Sequence, residues 1–323
     1  MSAASPAHAA PRVRHPWWAV SAVGLATFSV VTTEMLPVGL LTPIAEALGA
    51  STGTAGLMIS LPALLAALFA PLVVIAAGGI DRRRILCALL GLLMVANIAS
   101  ALAPSIGWLL AARVLVGFCM GGIWAIAGGL AARLVPAHRI GLATSIIFGG
   151  VAAASVLGVP LGALIGDALG WRCAFVAMAL FSAAVMLLHL RVVPALPVAT
   201  TVQPMQFVQQ LGHRGLRQGL WLTALLVAGH FIAFTYVRPL LTSVSGVDAS
   251  WIGGLLFAYG LAGIIGNFVA GPLAARHPRG ALLAIAAGLL LTPLLLLWMG
   301  GTPAGGIAVL LLWDWPTAVC RSA

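Results

Sequence analysis

Residues 17–41, WWAVSAVGLATFSVVTTEMLPVGLL, decide the class of this protein. A helix rises 1.5 Å per residue, so about 20 apolar residues cross the ~30 Å hydrocarbon core of a bilayer. The run is long enough for that and predicts a membrane-spanning helix. It contains a single charged side chain, the carboxylate of Glu34, with apolar residues on both sides.

Similar apolar runs fill most of the chain. Of the 323 residues, 62% are hydrophobic and 7% are charged, which excludes a soluble domain because its surface would need far more polar side chains. We predict an all-α membrane protein with about ten spans. They are 17–41, 54–78, 85–103, 106–134, 140–166, 173–193, 220–244, 252–275, 281–300 and a tenth from Gly305 that stops within about two turns of Trp313.

The arginines predict the orientation in the membrane. The net charge is +10, and all 16 basic residues are arginine. With the N-terminus in the cytoplasm, nearly every loop arginine falls on the inner side, and Arg172 is the clear exception. Because cytoplasmic loops are enriched in basic residues, we expect a multi-pass protein of the bacterial inner (plasma) membrane with a cytoplasmic N-terminus. Basic charge that follows topology in this way indicates a lipid bilayer as partner and no nucleic acid.

Metal and cofactor chemistry is not indicated. Cys87, Cys119, Cys173 and Cys320 are scattered without paired spacing, so neither a metal site nor a disulfide framework is expected, and no cofactor is predicted. Residues 1–16 precede an apolar run that is too long for a signal-peptide core, so we expect no cleavage there.

The chain divides at one long hydrophilic interruption. We predict a cytoplasmic segment 1–16, a six-helix bundle 17–193, a cytoplasmic linker 194–218 and a partial second bundle 219–313. The loop GGIDRRRIL (78–86) and the later AGPLAARHPRG (270–280) share a glycine-containing turn followed by arginines. A duplicated six-helix unit, as in many transporters, would explain this likeness.

Glu34 and Arg113 are opposite charges inside predicted spans. Counted along two antiparallel helices, each lies roughly 10 Å below the same surface. A buried charge is costly, so each needs a partner or a water-filled cavity. We expect Glu34 to carry a proton and Arg113 to tune it. The alternatives are a static ion pair near the interface, or a Glu34 side chain that reaches the lipid headgroups.

Three further groups are candidates for function. Small residues at four-residue intervals form a smooth helix ridge, which could equally be ordinary packing: Gly150, Ala154, Gly158, Gly162 and Gly166. His230, Tyr236 and Arg238 are candidate substrate-binding residues, although a buried histidine is more often structural. Asp167 and Arg172 are expected to form a surface ion pair, which would contribute little to stability.

Four stretches together resemble the major facilitator superfamily, within its drug:proton antiporter branch of sugar-efflux and purine-nucleoside-efflux proteins. The resemblance covers residues 17–312. It is carried by the loop GGIDRRRIL (78–86), by RVLVGFCMGG (113–122), by SVLGVPLGALIGDALGWR (155–172), in which Gly158-Val159-Pro160 replaces the usual Gly-Pro order, and by GHFIAFTYVRPLL (229–241).

The resemblance implies a role for each motif. It assigns Arg113 to proton coupling. It makes Gly158, Pro160 and Gly162 an antiporter motif that seals the two halves against leakage. It makes the loop a cytoplasmic gate, although the cluster could also be only a solvated orientation signal; the gate residues are Gly78, Asp81, Arg82, Arg83 and Arg84.

The function expected from this resemblance is proton-coupled efflux of a small organic solute, such as a drug, sugar or nucleoside, by a monomer. A facilitator or importer of the same fold is the alternative, as is a truncated remnant that does not transport. Nothing in the spans indicates an enzyme. Residues 314–323 depart from the family pattern, and a two-base frame shift permits LAYGGVPVG there. We therefore predict a frameshift or sequencing error near codon 314, which the DNA sequence would reveal.

Overall fold

The computed structural model describes residues 15–76, 78–197, 205, 209, 212–262 and 278–322. These residues are helical, joined by turns and short loops. The helices are α1 Pro16–Ala47, α2 Thr52–Ala76, α3 Arg82–Ala101, α4 Ile106–Leu134, α5 Ile140–Ala153, α6 Val159–Leu169, α7 Trp171–Val192, α8 Arg214–Thr235, α9 Ala249–Ala262, α10 Pro278–Met299 and α11 Pro303–Ser322.

Eight helical segments in the described ranges are long and apolar enough to cross a membrane. They comprise α1 to α4, the bent segment Ala137–Leu169, α7, α8 and Leu282–Met299. The predicted N-terminal segment, most of the linker and the end of the predicted span 252–275 fall on residues outside the described ranges. The count of ten spans therefore stays a prediction.

Helix α11 contains the tenth predicted span. Its apolar part, Pro303–Leu312, ends next to Trp313, whereas the helical backbone continues to Ser322. Apolar character and helical backbone therefore end at different residues, and the end of the span near Trp313 stays a prediction.

Helix α1 lies at the centre of the described helices. It packs against α2, α4, α5, α6 and α7, and nearly all of its side chains from Ala19 to Leu41 are buried. Polar side chains on α1 therefore bond to neighbouring helices. The Ser29 and Ser182 hydroxyls lie 2.9 Å apart, and the Thr27 hydroxyl donates to the Ile147 carbonyl at 2.6 Å. Because α1 is enclosed by protein, it can carry polar groups that lipid would not accept.

The glycine ridge of α5 and α6 packs on α1. A Cβ on Gly150, Gly162 or Gly166 would collide with Gly24, Leu36 or Leu40, all on α1. A Cβ on Gly158 would collide with Thr32. The glycines of the ridge face α1, a helix of their own half, and the sealing of the two halves by the motif stays a prediction. Missing side chains let the two backbones approach closely.

Gly158 gives a test of this contact. A Cβ there would lie 2.6 Å from Cγ2 of Thr32, whereas a Cβ on Gly149 would meet open space. We expect Gly158→Ala to separate α1 from α6 and to lower stability by about 1 to 3 kcal/mol. The measurement is the thermal midpoint of the purified protein in detergent. Gly149→Ala, on the same helical segment, is the control and should leave the midpoint unchanged or slightly higher.

A π-helical turn, Ala154–Gly158, joins α5 to α6. Pro160 lies two residues after the turn and cannot donate to the carbonyl of Val156, so regular α-helix is interrupted here. The interruption is thus a change of helix type, from α to π. We call α1 to α7 the first part of the chain and α8 onward the second part. On the face beside the ridge, Val156 lies against Gly260 and Leu164 lies against Gly253, both in the second part. This neighbouring face meets the second part in the way the ridge was expected to.

Candidate functional site

A cavity of about 360 Å³ lies between the first part of the chain and the second. Its wall combines α1, α4 and the α5 segment on one side with α8, α9 and α10 on the other. The wall is mostly apolar and aromatic; its members include Val31, Glu34, Met35, Met120, Trp124, Ser155, Leu226, His230, Phe231, Phe234, Tyr259 and Leu289. An apolar chamber with few polar groups is typical of a small-molecule site.

Glu34 is the acidic residue of this wall. Its side chain is only 4% exposed, yet it borders the cavity. The two threonines before it, Thr32 and Thr33, are buried as well. The carboxylate can therefore meet water or a ligand only through the cavity, which is the arrangement that a proton-exchanging group requires.

Arg113 reaches α1 from α4 and is completely buried. Its Nη1 donates to the carbonyl of Thr33 at 2.8 Å, and its Nη2 lies 3.5 Å from the hydroxyl of Ser100. Its guanidinium carbon lies 4.8 Å from the centre of the Phe175 ring. The cation is thus held by a carbonyl, a hydroxyl and an aromatic face.

Pro37 explains why the Thr33 carbonyl is available. In a helix the carbonyl of residue 33 would accept from the N–H of residue 37, and proline has no N–H. Pro37 lies inside the continuous helix α1. The arginine therefore supplies the donor that the proline removes, one residue before Glu34.

The expected pairing of Glu34 with Arg113 is indirect. The bond to Thr33 places Arg113 level with Glu34, as the counting along the helices predicts. Among the described residues, however, the ion pair within 4.0 Å is Arg238 with Asp167, and Glu34 and Arg113 do not form one. Their charges interact electrostatically without direct contact. A cation near a carboxylate, but not bonded to it, leaves the carboxylate oxygens open to the cavity.

His230 lies in the cavity wall within an aromatic group. Its ring is 5.6 Å from that of Phe234 and nearly parallel to it, at 15°. Phe234 in turn stacks on Tyr259 at 5.3 Å, which connects α8 to α9. Stacked rings beside a cavity can receive a planar ligand on their faces.

Tyr236 and Arg238 lie outside the wall of this cavity, and their assignment to substrate binding stays a prediction. The Tyr236 hydroxyl lies against the backbone of Gly56 on α2. Arg238 is 4% exposed, and its Nη2 lies 2.8 Å from Oδ1 of Asp167. Helix α8 ends at Thr235, so the chain turns between His230 and these two residues. Helical spacing on one face failed here because the α-helix is interrupted at Tyr236 and helical structure resumes only at Val237.

The expected pair of Asp167 with Arg172 is also wrong. Asp167 binds Arg238 instead. Arg172 donates to the carbonyl of Ala103 at 3.1 Å, and its guanidinium lies 4.2 Å over the ring of Trp171. Residues close in sequence had other partners nearer in space.

The carboxylate of Asp81 accepts hydrogen bonds from two backbone N–H groups, one at the start of α3 and one after the end of α7. One carboxylate oxygen accepts from the N–H of Arg83 at 2.8 Å, which caps α3, and the other accepts from the N–H of Leu196 at 2.8 Å. The Leu196 carbonyl accepts from the N–H of Arg82 and from the side chain of Arg133. The cluster is therefore built into the structure where the chain leaves α7. Most of the similar later loop AGPLAARHPRG (270–280) falls outside the described residues, so the gate stays a prediction.

Helix length, buried charges and a chamber between two helix groups are typical of membrane transporters. Residues 23–319 match the family model described as Major Facilitator Superfamily. The chain belongs to the major facilitator superfamily. It is a multi-pass membrane transporter by family, and the resemblance noted in its motifs is confirmed.

Two relatives and one solved structure are similar to this chain over most of its length. The chain is 31% identical over 318 residues to the purine ribonucleoside efflux pump NepI of Salmonella paratyphi A, covering 96% of this chain and 80% of that protein. It is 32% identical over 307 residues to a Pseudomonas aeruginosa protein named transcription regulatory protein OpdE, covering 94% and 76%. A bacterial homologue of the lysosomal transporter Spinster, solved inward-facing and unoccupied, has a TM-score of 0.77 at 19% identity, covering 96% and 74%.

Several cavity residues were not predicted as site residues. Met120 and Trp124 on α4 and Phe234 and Tyr259 in the second part line the chamber. Because the spans are apolar throughout, the sequence pattern does not distinguish these residues from others in the same helices. Trp124 shares a helical face with Arg113, and this spacing was the signal that could have placed it near the site.

Proposed function

We propose that this transporter exports a small organic solute in exchange for protons, by alternating access across the bacterial inner membrane. The observation that carries the proposal is the position of Glu34, a buried carboxylate whose way out is the chamber between the two parts of the chain. A proton taken up from one side and released to the other needs such a group. Arg113, held one residue away at Thr33, supplies a fixed positive charge nearby.

For the solute, we propose a purine ribonucleoside. The support is twofold: NepI carries this substrate in its name, and the stacked rings of His230, Phe234 and Tyr259 offer planar faces in the chamber. A base can stack there while a polar edge reaches Glu34 or His230. A sugar without a base would lack the stacking contribution.

Transport in everted membrane vesicles tests both parts of the proposal. When respiration acidifies the interior, labelled inosine should accumulate inside vesicles that contain the full chain, and a protonophore should abolish the accumulation. Unlabelled adenosine or guanosine should compete better than uridine or free ribose, because a purine presents the larger ring face. Vesicles without the protein are the control.

The same assay distinguishes proton-coupled export from transport by a facilitator. A facilitator lets inosine equilibrate at the same rate with and without the proton gradient. That result would contradict proton coupling while leaving the substrate proposal intact. Accumulation of another solute class with no effect of inosine would contradict the substrate proposal and leave the coupling intact.

A further inference from the structure

Helix α1 contains two prolines in its interior, Pro37 and Pro43. Each removes the N–H that would bond to the carbonyl four residues earlier. The carbonyls left without this donor belong to Thr33 and Gly39. In a buried helix such an acceptor needs another donor, because an unpaired buried carbonyl is costly.

Both carbonyls are bound by an arginine from another part of the chain. Arg113 of α4 donates to Thr33, and Arg238, in the turn Val237–Pro239, donates to Gly39. The first bond lies within the first part of the chain, whereas the second crosses from the second part to the first. The prolines thus create two arginine-binding positions on the most enclosed helix.

The second position has a further anion. Asp167, near the end of α6, pairs with Nη2 of Arg238 at 2.8 Å, while Nη1 of the same guanidinium donates to Gly39. One arginine of the second part therefore joins α1 and α6 near their C-terminal ends. We call this end, which carries residues 48–51, the expected outer end. Tyr236 against Gly56 and Leu164 against Gly253 add contacts between the two parts at the same end.

We propose that Pro43 frees the Gly39 carbonyl as a docking point for Arg238, and that Arg238, Gly39 and Asp167 form a latch that holds the expected outer end shut. The latch must separate whenever the chamber opens to that side. Separation is feasible because the Asp167 side chain is 29% exposed, so water can replace the arginine there. The proposal depends on alternating access, but not on the identity of the solute or on proton coupling.

Accessibility of the chamber tests the latch. In a full-length background with Cys87, Cys119, Cys173 and Cys320 replaced, Ser155→Cys places a thiol in the chamber wall. Membrane-impermeant maleimide is then added to the side that carries residues 48–51. Labelling of Thr52→Cys, at an exposed position at the start of α2, identifies that side.

Arg238→Gln should raise the rate of labelling at position 155 by about tenfold, the effect of losing one charge-assisted hydrogen bond. Asp167→Asn keeps the shape of the side chain and should act in the same direction. Pro43→Ala returns an N–H that competes for Gly39, so its effect should be smaller, because a carbonyl can accept two bonds. Pro71→Ala, a proline inside α2, is the matched control and should change nothing.

The double variant separates the latch from mere helix shape. If Pro43 acts through Arg238, Pro43→Ala adds nothing to Arg238→Gln. If it multiplies the rate equally in both backgrounds, Pro43 acts by bending α1 and its part in the latch is overturned. If Arg238→Gln and Asp167→Asn, recovered at the wild-type amount, both leave labelling unchanged, the latch itself is overturned. Failure of nucleoside transport with intact latch behaviour contradicts only the proposed function.

Discussion

Glu34→Gln is expected to abolish proton-driven accumulation of the solute, down to the level of vesicles without the protein. Glutamine has nearly the size of glutamate but cannot exchange a proton, so the chamber keeps its shape while the charge is lost. Solute exchange in the absence of a gradient should persist, because the aromatic wall is untouched. The measurements are uptake into everted vesicles with and without an acid interior, and exchange of labelled for unlabelled inosine.

Glu46→Gln is the matched control. Glu46 lies on the same helix, but it is exposed and close to the end of α1. Its replacement should leave both measurements unchanged. If the Glu34 variant still accumulates inosine at the wild-type rate, the carboxylate is not the proton carrier, and the static alternatives for Glu34 gain support.

Arg113→Leu should lower the thermal midpoint strongly. The change leaves the carbonyl of Thr33, already deprived of its helical donor by Pro37, without its arginine donor. An orphaned buried acceptor costs about 1 to 3 kcal/mol. Contacts of the guanidinium with Ser100 and the ring of Phe175 are lost as well. The measurement is the fraction of purified protein that stays monodisperse in detergent after heating.

A second substitution should restore part of that stability. Pro37→Ala returns an N–H to the helix four residues after Thr33, so it can pair the carbonyl that Arg113→Leu leaves free. The double variant should therefore unfold at a higher temperature than Arg113→Leu alone. Proton-coupled transport should not return, because the fixed charge beside Glu34 is still absent. If the midpoint does not rise, the main task of Arg113 is not to satisfy Thr33.

The sequence predicted the class of fold well because membrane spans leave a direct mark on composition. Every run from 17–41 to 173–193 overlaps a helix of the structure. Boundaries at backbone features were harder. The interruption of α8 at Tyr236, inside the predicted span 220–244, is a change of backbone conformation that hydropathy does not record.

The candidate site was predicted in part for a related reason. Glu34, Arg113 and His230 are polar residues in apolar spans and therefore stand out. Their partners do not: Thr33 contributes a backbone carbonyl, and Phe234 is one aromatic residue among many in apolar spans. Arg238 stood out equally, yet its partner Asp167 is 71 residues away in sequence. Pairing across such a distance depends on tertiary structure, so a pattern along the chain could not show it.

The π turn Ala154–Gly158 sets the rotation of α6 about its axis. Gly150 and Gly158 are eight residues apart, and in a regular α-helix two turns take about 7.2 residues, so the two would point in different directions. An i to i+5 turn accommodates one additional residue, which brings both onto α1. A change of register by one residue here would rotate α6 by about 100°. The additional residue in the π turn therefore determines which side of α6 packs on α1 and which side faces Gly253 of the second part.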